Sequence, residues 1–250
     1  MLLATSLLCI AAHAQSLDTP AATGFDAPNR LAVTPLPSNY QTIFENSDVL
    51  VMHVHYGAHE FVPTHDHPAF PTLFVYLNNS GEVDIIHAGP HGVTVHRPPT
   101  QAGAFRIAPA LAERHSIQSH SDIPSDFLRV EFKNISLPDV PADGKRVPAN
   151  VTPGMRTDFA NASIRIDRIV CSPDKPCEPL TITHRSLLIA LNQTTLSTNN
   201  TPTSLALGAV DWLAPEAHTT YTLAPGAQTL LITFLTPEAP KPASVKPCSF

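Results

Sequence analysis

A chain of 250 residues, with 14% charged residues and a formal net charge of −6, has room for one large all-β domain or two small ones. It carries no basic block, which argues against nucleic acid as a partner. Its 26 prolines, against 10 glycines, are scattered between short apolar runs, a pattern of β structure with many turns.

The first residues, M-L-L-A-T-S-L-L-C-I-A-A-H-A-Q-S, are apolar and end in Ala12-His13-Ala14. Small residues at both ends of that triplet read as a signal-peptidase site, although no Lys or Arg precedes the apolar run. The expectation is a signal peptide over 1–14 and a secreted or periplasmic protein. The run is too short to anchor in a bilayer, and nothing later could span one.

Self-similarity divides the rest. T-I-F-E-N-S-D-V (42–49) aligns with T-D-F-A-N-A-S-I (157–164), L-F-V-Y-L-N (73–78) with L-L-I-A-L-N (187–192), and G-A-F-R-I-A-P-A (103–110) with G-A-V-D-W-L-A-P (208–215). Three anchors in the same order predict two copies of one unit of about a hundred residues. The expected plan is a first unit over 36–135, a Pro-rich surface linker over 136–155 and a second unit over 156–240.

Within each unit the short apolar runs read as strands. D-V-L-V-M-H-V-H-Y alternates, with Val49, Val51, His53 and His55 on one face and Leu50, Met52, Val54 and Tyr56 on the other. T-L-F-V-Y-L and G-E-V-D-I-I flank N-N-S-G, a hairpin signal. Thr72, Phe74 and Tyr76 share a face, so Tyr76 is either a core aromatic or a hydroxyl aimed at substrate.

P-T-H-D-H-P-A-F (63–70) carries the chemistry. On a strand, His65 and His67 project from one face, close enough to share an ion such as zinc, iron, copper or nickel. In a polar loop they would only hydrogen-bond. A third ligand has to come from elsewhere, and His115 follows a later strand. Glu113 and Gln118 are weaker candidates for a fourth ligand or a general base. His53 and His55 read as wall or surface residues, with pocket lining as the alternative. His59 is equally open, and His120 reads as surface.

These residues resemble the motifs of the cupin family. Gly57, then His65 and His67, then L-F-V-Y-L leading to Gly81 follow its first motif. Gly103, Pro109 and His115 follow its second, with the histidine one residue late. The resemblance implies two jelly-roll barrels in tandem, all-β, with His65, His67 and His115 as metal ligands. The family's glutamate falls on Thr72, Leu111 stands in place of a glycine and Ser119 in place of an asparagine, so the site would be three histidines without a carboxylate. In the second copy E-P-L-T-I-T replaces the histidine pair, and His184 and His218 are too far apart for a site. That half reads as metal-free.

The expected cofactor is one divalent transition metal, with Fe, Zn, Mn and Ni not distinguished. The expected partner is a small molecule, under dioxygenase- or isomerase-type chemistry. A non-catalytic ligand or sugar binder and a degenerate structural bicupin are the alternatives. The chain is expected to be a monomer, its two barrels standing in for a dimer. Cys171 and Cys177 would close a small disulfide loop in an oxidising compartment, with Cys248 left over or competing.

Overall fold

The structure, a computed structural model, describes residues 35–89 and 92–236. The signal segment, Cys9 and Cys248 lie outside the described residues. All regular structure among the described residues is β-strand. No described helix is long and apolar enough to cross a membrane.

The first half builds two antiparallel sheets. The larger contains β1 (Tyr40–Glu45), β2 (Val49–Tyr56), β4 (Thr72–Tyr76), β7 (Phe105–Ala108), β9 (Ser125–Phe132) and β10 (Lys145–Val147), in the order β1-β2-β9-β4-β7-β10. The smaller contains β3 (Phe61–His67), β5 (Val83–His87), β6 (Thr94–Arg97) and β8 (Glu113–Ser119), in the order β3-β8-β5-β6. The second half repeats the plan. Strands β11 (Gly154–Ala160), β12 (Ile164–Val170), β13 (Ser186–Ala190), β16 (Val210–Leu213) and β18 (Gln228–Phe234) run β11-β12-β18-β13-β16. Opposite them lie β14 (Thr194–Thr198), β15 (Thr201–Leu205) and β17 (Tyr221–Leu223), in the order β15-β14-β17. Each half is thus a jelly roll of two facing sheets, joined through its core and not closed into one continuous ring of strands.

The repeated sequence anchors are repeated devices. Asn46 Oδ1 accepts from the amides of Asp48 and Val49, and Asn161 Oδ1 accepts from those of Ser163 and Ile164, so both first hairpins turn on an asparagine. Both carry a bulge, at Thr42/Phe44 and at Thr157/Phe159. Asn78 donates to the Pro124 carbonyl and accepts from the Asp126 amide; Asn192 does the same with Gly226 and Gln228. Gly103 and Gly208 take φ of 79° and 77°, a conformation that favours glycine.

The alternation on β2 separates two cores. Met52, Val54 and Tyr56 point into the first jelly roll, where they meet Tyr40, Val62, Ile117 and Phe127. Val49 and Val51 point the other way. They join Leu73, Val75, Phe105, Ile107, Leu128 and Val130 against Ile164, Ile166, Leu187, Ile189, Leu230 and Ile232 of the second half. The two larger sheets therefore cover each other's outer faces with residues that are almost all fully buried, and removal of any one such Leu or Ile side chain costs about 2–5 kcal/mol.

Two expectations need correction. N-N-S-G does not close a hairpin: β4 pairs with β9 and β7, while β5 pairs with β8 and β6. Asn78 ties that turn to residues 124–126, and the chain crosses from one sheet to the other. Residues 136–155, read as a surface linker, contain β10, which extends the larger sheet at its β7 edge. Cys171 and Cys177 are joined as a disulfide, and Cys171 is buried in the second core.

Candidate metal centre

The proline beside the histidine pair has a structural place. β3 is an edge strand, and its register with β8 passes from Val62↔Ile117 to His65↔His115, so one extra residue is inserted around Pro63 and Thr64. An edge bulge tolerates a proline, which has no amide to donate. The same insertion lets Val62 and His65, three residues apart, both face the interior. Asp66, between His65 and His67, faces away and forks onto Arg114 at 2.7 and 2.9 Å.

On the interior face the cross-strand pairs form two rows. His65, His115 and His87 lie side by side on β3, β8 and β5, and His67 lies beside Glu113 in the next row. Directly opposed residues in an antiparallel pair share a face. Ring centroids are 4.8 Å apart for His65 and His115, 4.9 Å for His65 and His67, and 5.2 Å for His67 and His115. One nitrogen from each of these three rings lies within 4.8 Å of the other two. His87, Glu113 and His115 form a second such group sharing His115.

All three rings are almost completely buried. Neither ring nitrogen of His67 has a hydrogen-bond partner, nor has Nδ1 of His115. Orphaned polar atoms of this kind cost free energy in a dry site. His65 is different: Nδ1 donates to the Pro63 carbonyl at 2.7 Å, which fixes the tautomer and leaves the lone pair on Nε2. That nitrogen accepts from the Tyr40 hydroxyl at 2.9 Å, and Tyr40 in turn meets the Tyr56 hydroxyl at 2.6 Å.

Burial pushes the three imidazoles below their usual range, furthest for His67 and His115, and the Arg129 guanidinium adds to it. Arg129 is buried behind them. Desolvation opposes its charge, but Glu131, at 2.8 Å, and Glu113 outweigh it and hold its pKa above the ordinary value. The histidines are therefore neutral at pH 7, the form that binds metal. Two nitrogens on a tetrahedral zinc ion stand about 3.4 Å apart, so side-chain shifts of about an ångström close the set. The donor set fits a divalent transition metal.

The structure brings His65, His67 and His115 together, as the strand-face reading expects. Two carboxylates stand at the margin of this set. Glu113 stands beside the cluster, and Glu131 lies 3.6 Å from His67 Nδ1 across from Thr72. Tyr76 lines the adjoining cavity with Phe74, Phe127 and Glu113. Gln118 is turned away, donating to the Ser119 carbonyl. His53 and His55 lie outside the cavity beside Asp126, His59 beside Asp122 and His120 beside Asp84. Sequence reasoning missed His87, Tyr40 and the interior arginines. His87 alternates inward with Val83 and Ile85, a signal that was present but had no spacing partner. Tyr40 precedes every motif.

No protein-family model and no curated protein matches the chain. Solved structures do. A bacterial pirin of Escherichia coli, YhhW, in complex with nickel(II), is 16% identical over 79% of this chain and 90% of its own, with a TM-score of 0.55. AerE of Microcystis aeruginosa is 14% identical over 82% and 99%, TM-score 0.55. YhaK of Escherichia coli is 14% identical over 79% and 92%, TM-score 0.53. At such identities the likeness shows the fold alone, an all-β fold of the cupin type.

Proposed function

We propose that the chain is a metal-dependent enzyme that holds one divalent transition metal on His65, His67 and His115 and acts on a small molecule in the adjoining cavity. The observation that carries this reading is the convergence of three buried, neutral imidazoles whose lone pairs are unused or held only by a hydroxyl. The nickel(II) in the structurally similar pirin supports a metal at this kind of fold.

A bound ion would act as a Lewis acid on an oxygen of the small molecule, and three neutral ligands would leave it its full charge. The chain's own groups do the rest. In the metal-free site Tyr56 donates to Tyr40 and Tyr40 to His65; an ion on Nε2 of His65 would free the Tyr40 hydroxyl, leaving a proton donor beside the ligand set. Glu113 is placed to accept one. Phe74, Phe127 and Ile117 exclude water. Both groups of possible ligands lie in the first half, so the second serves as a packing scaffold and the chain as a monomer. The apolar stretch 1–14 and the Cys171–Cys177 disulfide support export to an oxidising compartment.

Metal content by plasma mass spectrometry, on untagged protein, tests the reading. Wild type should carry close to one ion per chain, and His67→Ala and His115→Ala close to none. A folded wild type that takes up none of Zn, Fe, Mn or Ni would overturn it. Rate measurements on the loaded protein then separate an enzyme from a binder.

A further inference from the structure

The cavity beside the histidines has a charge that its own residues do not balance. Three arginines line it: Arg97 from β6, Arg106 from β7 and Arg129 from β9. Arg129 takes both nearby carboxylates, Glu131 at 2.8 Å and Glu113 at 3.8 Å. Among the described residues no carboxylate pairs with Arg97 or Arg106, and the Nε of each is buried with no hydrogen-bond partner. Arg106 is only 8% exposed, and it is stacked on Phe74, 4.1 Å from the ring centroid. Burial, with Arg97 as the next cause, pushes its pKa down to about 10. A buried cation without a counter-charge is costly, and an anionic ligand would supply the missing charge.

The two guanidiniums come from opposite sheets and sit where the inner cavity meets a second hollow; Tyr76, Arg97, Pro98, Thr100 and Arg106 line both. Arg146 of β10 pairs in register with Arg106 and lines the outer hollow, so positive charge continues outward. Inward the walls turn apolar and flat: Phe74 and Tyr76 lie with ring centroids 6.1 and 5.9 Å from Phe127.

We propose that Arg97 and Arg106 hold the carboxylate of a small organic acid whose flat apolar body lies against Phe74, Tyr76 and Phe127 and reaches the histidine cluster. This rests on the reading of the cavity as the substrate site and names the substrate class. Guanidinium forks match a carboxylate in two-point geometry, and the ring faces match a planar body. Arg146 attracts the anion at the mouth.

Isothermal titration calorimetry on the mature chain, at low chloride, tests it. The probes are benzoate, phenylacetate and hexanoate, with benzamide as the uncharged isostere and inorganic phosphate as the plain anion. Each is titrated into zinc-loaded and EDTA-stripped protein. The carboxylates are expected to bind at least about tenfold more tightly than benzamide. Arg106→Gln and Arg97→Gln should each weaken them by about tenfold or more. Arg106→Gln should also leave the Tm unchanged or raise it, because it removes an unpaired buried charge. Arg97 is less buried than Arg106, so Arg97→Gln carries the test if Arg106→Gln fails to fold.

Equal binding of benzoate and benzamide would overturn the proposal. So would failure of all three carboxylates to bind either form, or phosphate binding as tightly and displacing them. The metal reading fails separately. Loss of zinc binding with retained, arginine-dependent carboxylate binding to the stripped protein would remove the metal and keep the anion site. Zinc bound at one per chain with no carboxylate preference would do the reverse.

Discussion

The Tyr40 hydroxyl lies 2.9 Å from Nε2 of His65, on the one nitrogen of that ring that keeps a lone pair. An ion arriving at the cluster must take that lone pair and turn the hydroxyl aside. Burial pushes the Tyr40 pKa up to about 12, so it stays a donor throughout the neutral range. Tyr40→Phe breaks the Tyr40–Tyr56 and Tyr40–His65 bonds and should lower the stability of metal-free protein by about 1–2 kcal/mol in urea unfolding. Zinc affinity, read by chelator competition, should change by less than about tenfold, against a loss of about a hundredfold or more for His65→Ala.

The metal-free protein should be acid-sensitive. His65, His67 and His115 have folded pKa values below the ordinary value of about 6.5, mainly through burial. Below that value the unfolded chain binds protons that the folded chain does not, so stability is full above it and falls as pH drops through and below it. Each such histidine adds up to about 1.4 kcal/mol per pH unit to the slope. Urea midpoints of stripped protein between pH 7.5 and 5 should fall steeply, and His67→Ala should flatten the curve.

Asp66 stands between the two histidines of β3 but serves the opposite face, where it forks onto Arg114 of β8. That pair clamps the strands that carry His65, His67 and His115. Asp66→Asn keeps the shape and removes the charge. It should cost about 1–3 kcal/mol of stability and weaken zinc binding by about tenfold or more through loss of ligand alignment. Thermal unfolding and zinc titration on the same preparation check both effects.

The two repeated glycines should respond unequally. A Cβ on Gly208 would meet Leu77 Cδ1 at 2.7 Å, at a φ of 77°. A Cβ on Gly103 would find nothing closer than 3.6 Å, at a φ of 79°. Gly103→Ala should therefore show mainly the backbone cost, about 1 kcal/mol, and Gly208→Ala about 1–3 kcal/mol more. Leu77→Ala should relieve part of the excess in a double-mutant cycle.

The sequence carries what depends on spacing. Period-two alternation places Val49 and Val51 opposite Met52 and Val54, and the His65–His67 spacing puts two rings on one face. The repeated asparagines and glycines mark turns that recur. Partners brought by non-local pairing were not legible. His87 reaches the cluster because β8 pairs with β3 and β5 at once, and Arg106 and Arg97 come together from two sheets. N-N-S-G misled because a hairpin and a sheet-to-sheet crossing use the same turn residues, and only the Asn78 side-chain contacts with residues 124–126 tell them apart.

The mutual cover of the two larger sheets decides what natural variation can reach. A bulky residue gained at Leu187, Ile189 or Leu230 would push on Leu73, Val75 and Leu128, one layer behind Phe74 and Arg129. Chemistry in one half is thus guarded by conservatism in the other. Homologous chains should diverge freely at the exposed positions of β15 while holding their apolar character along β12, β13 and β18.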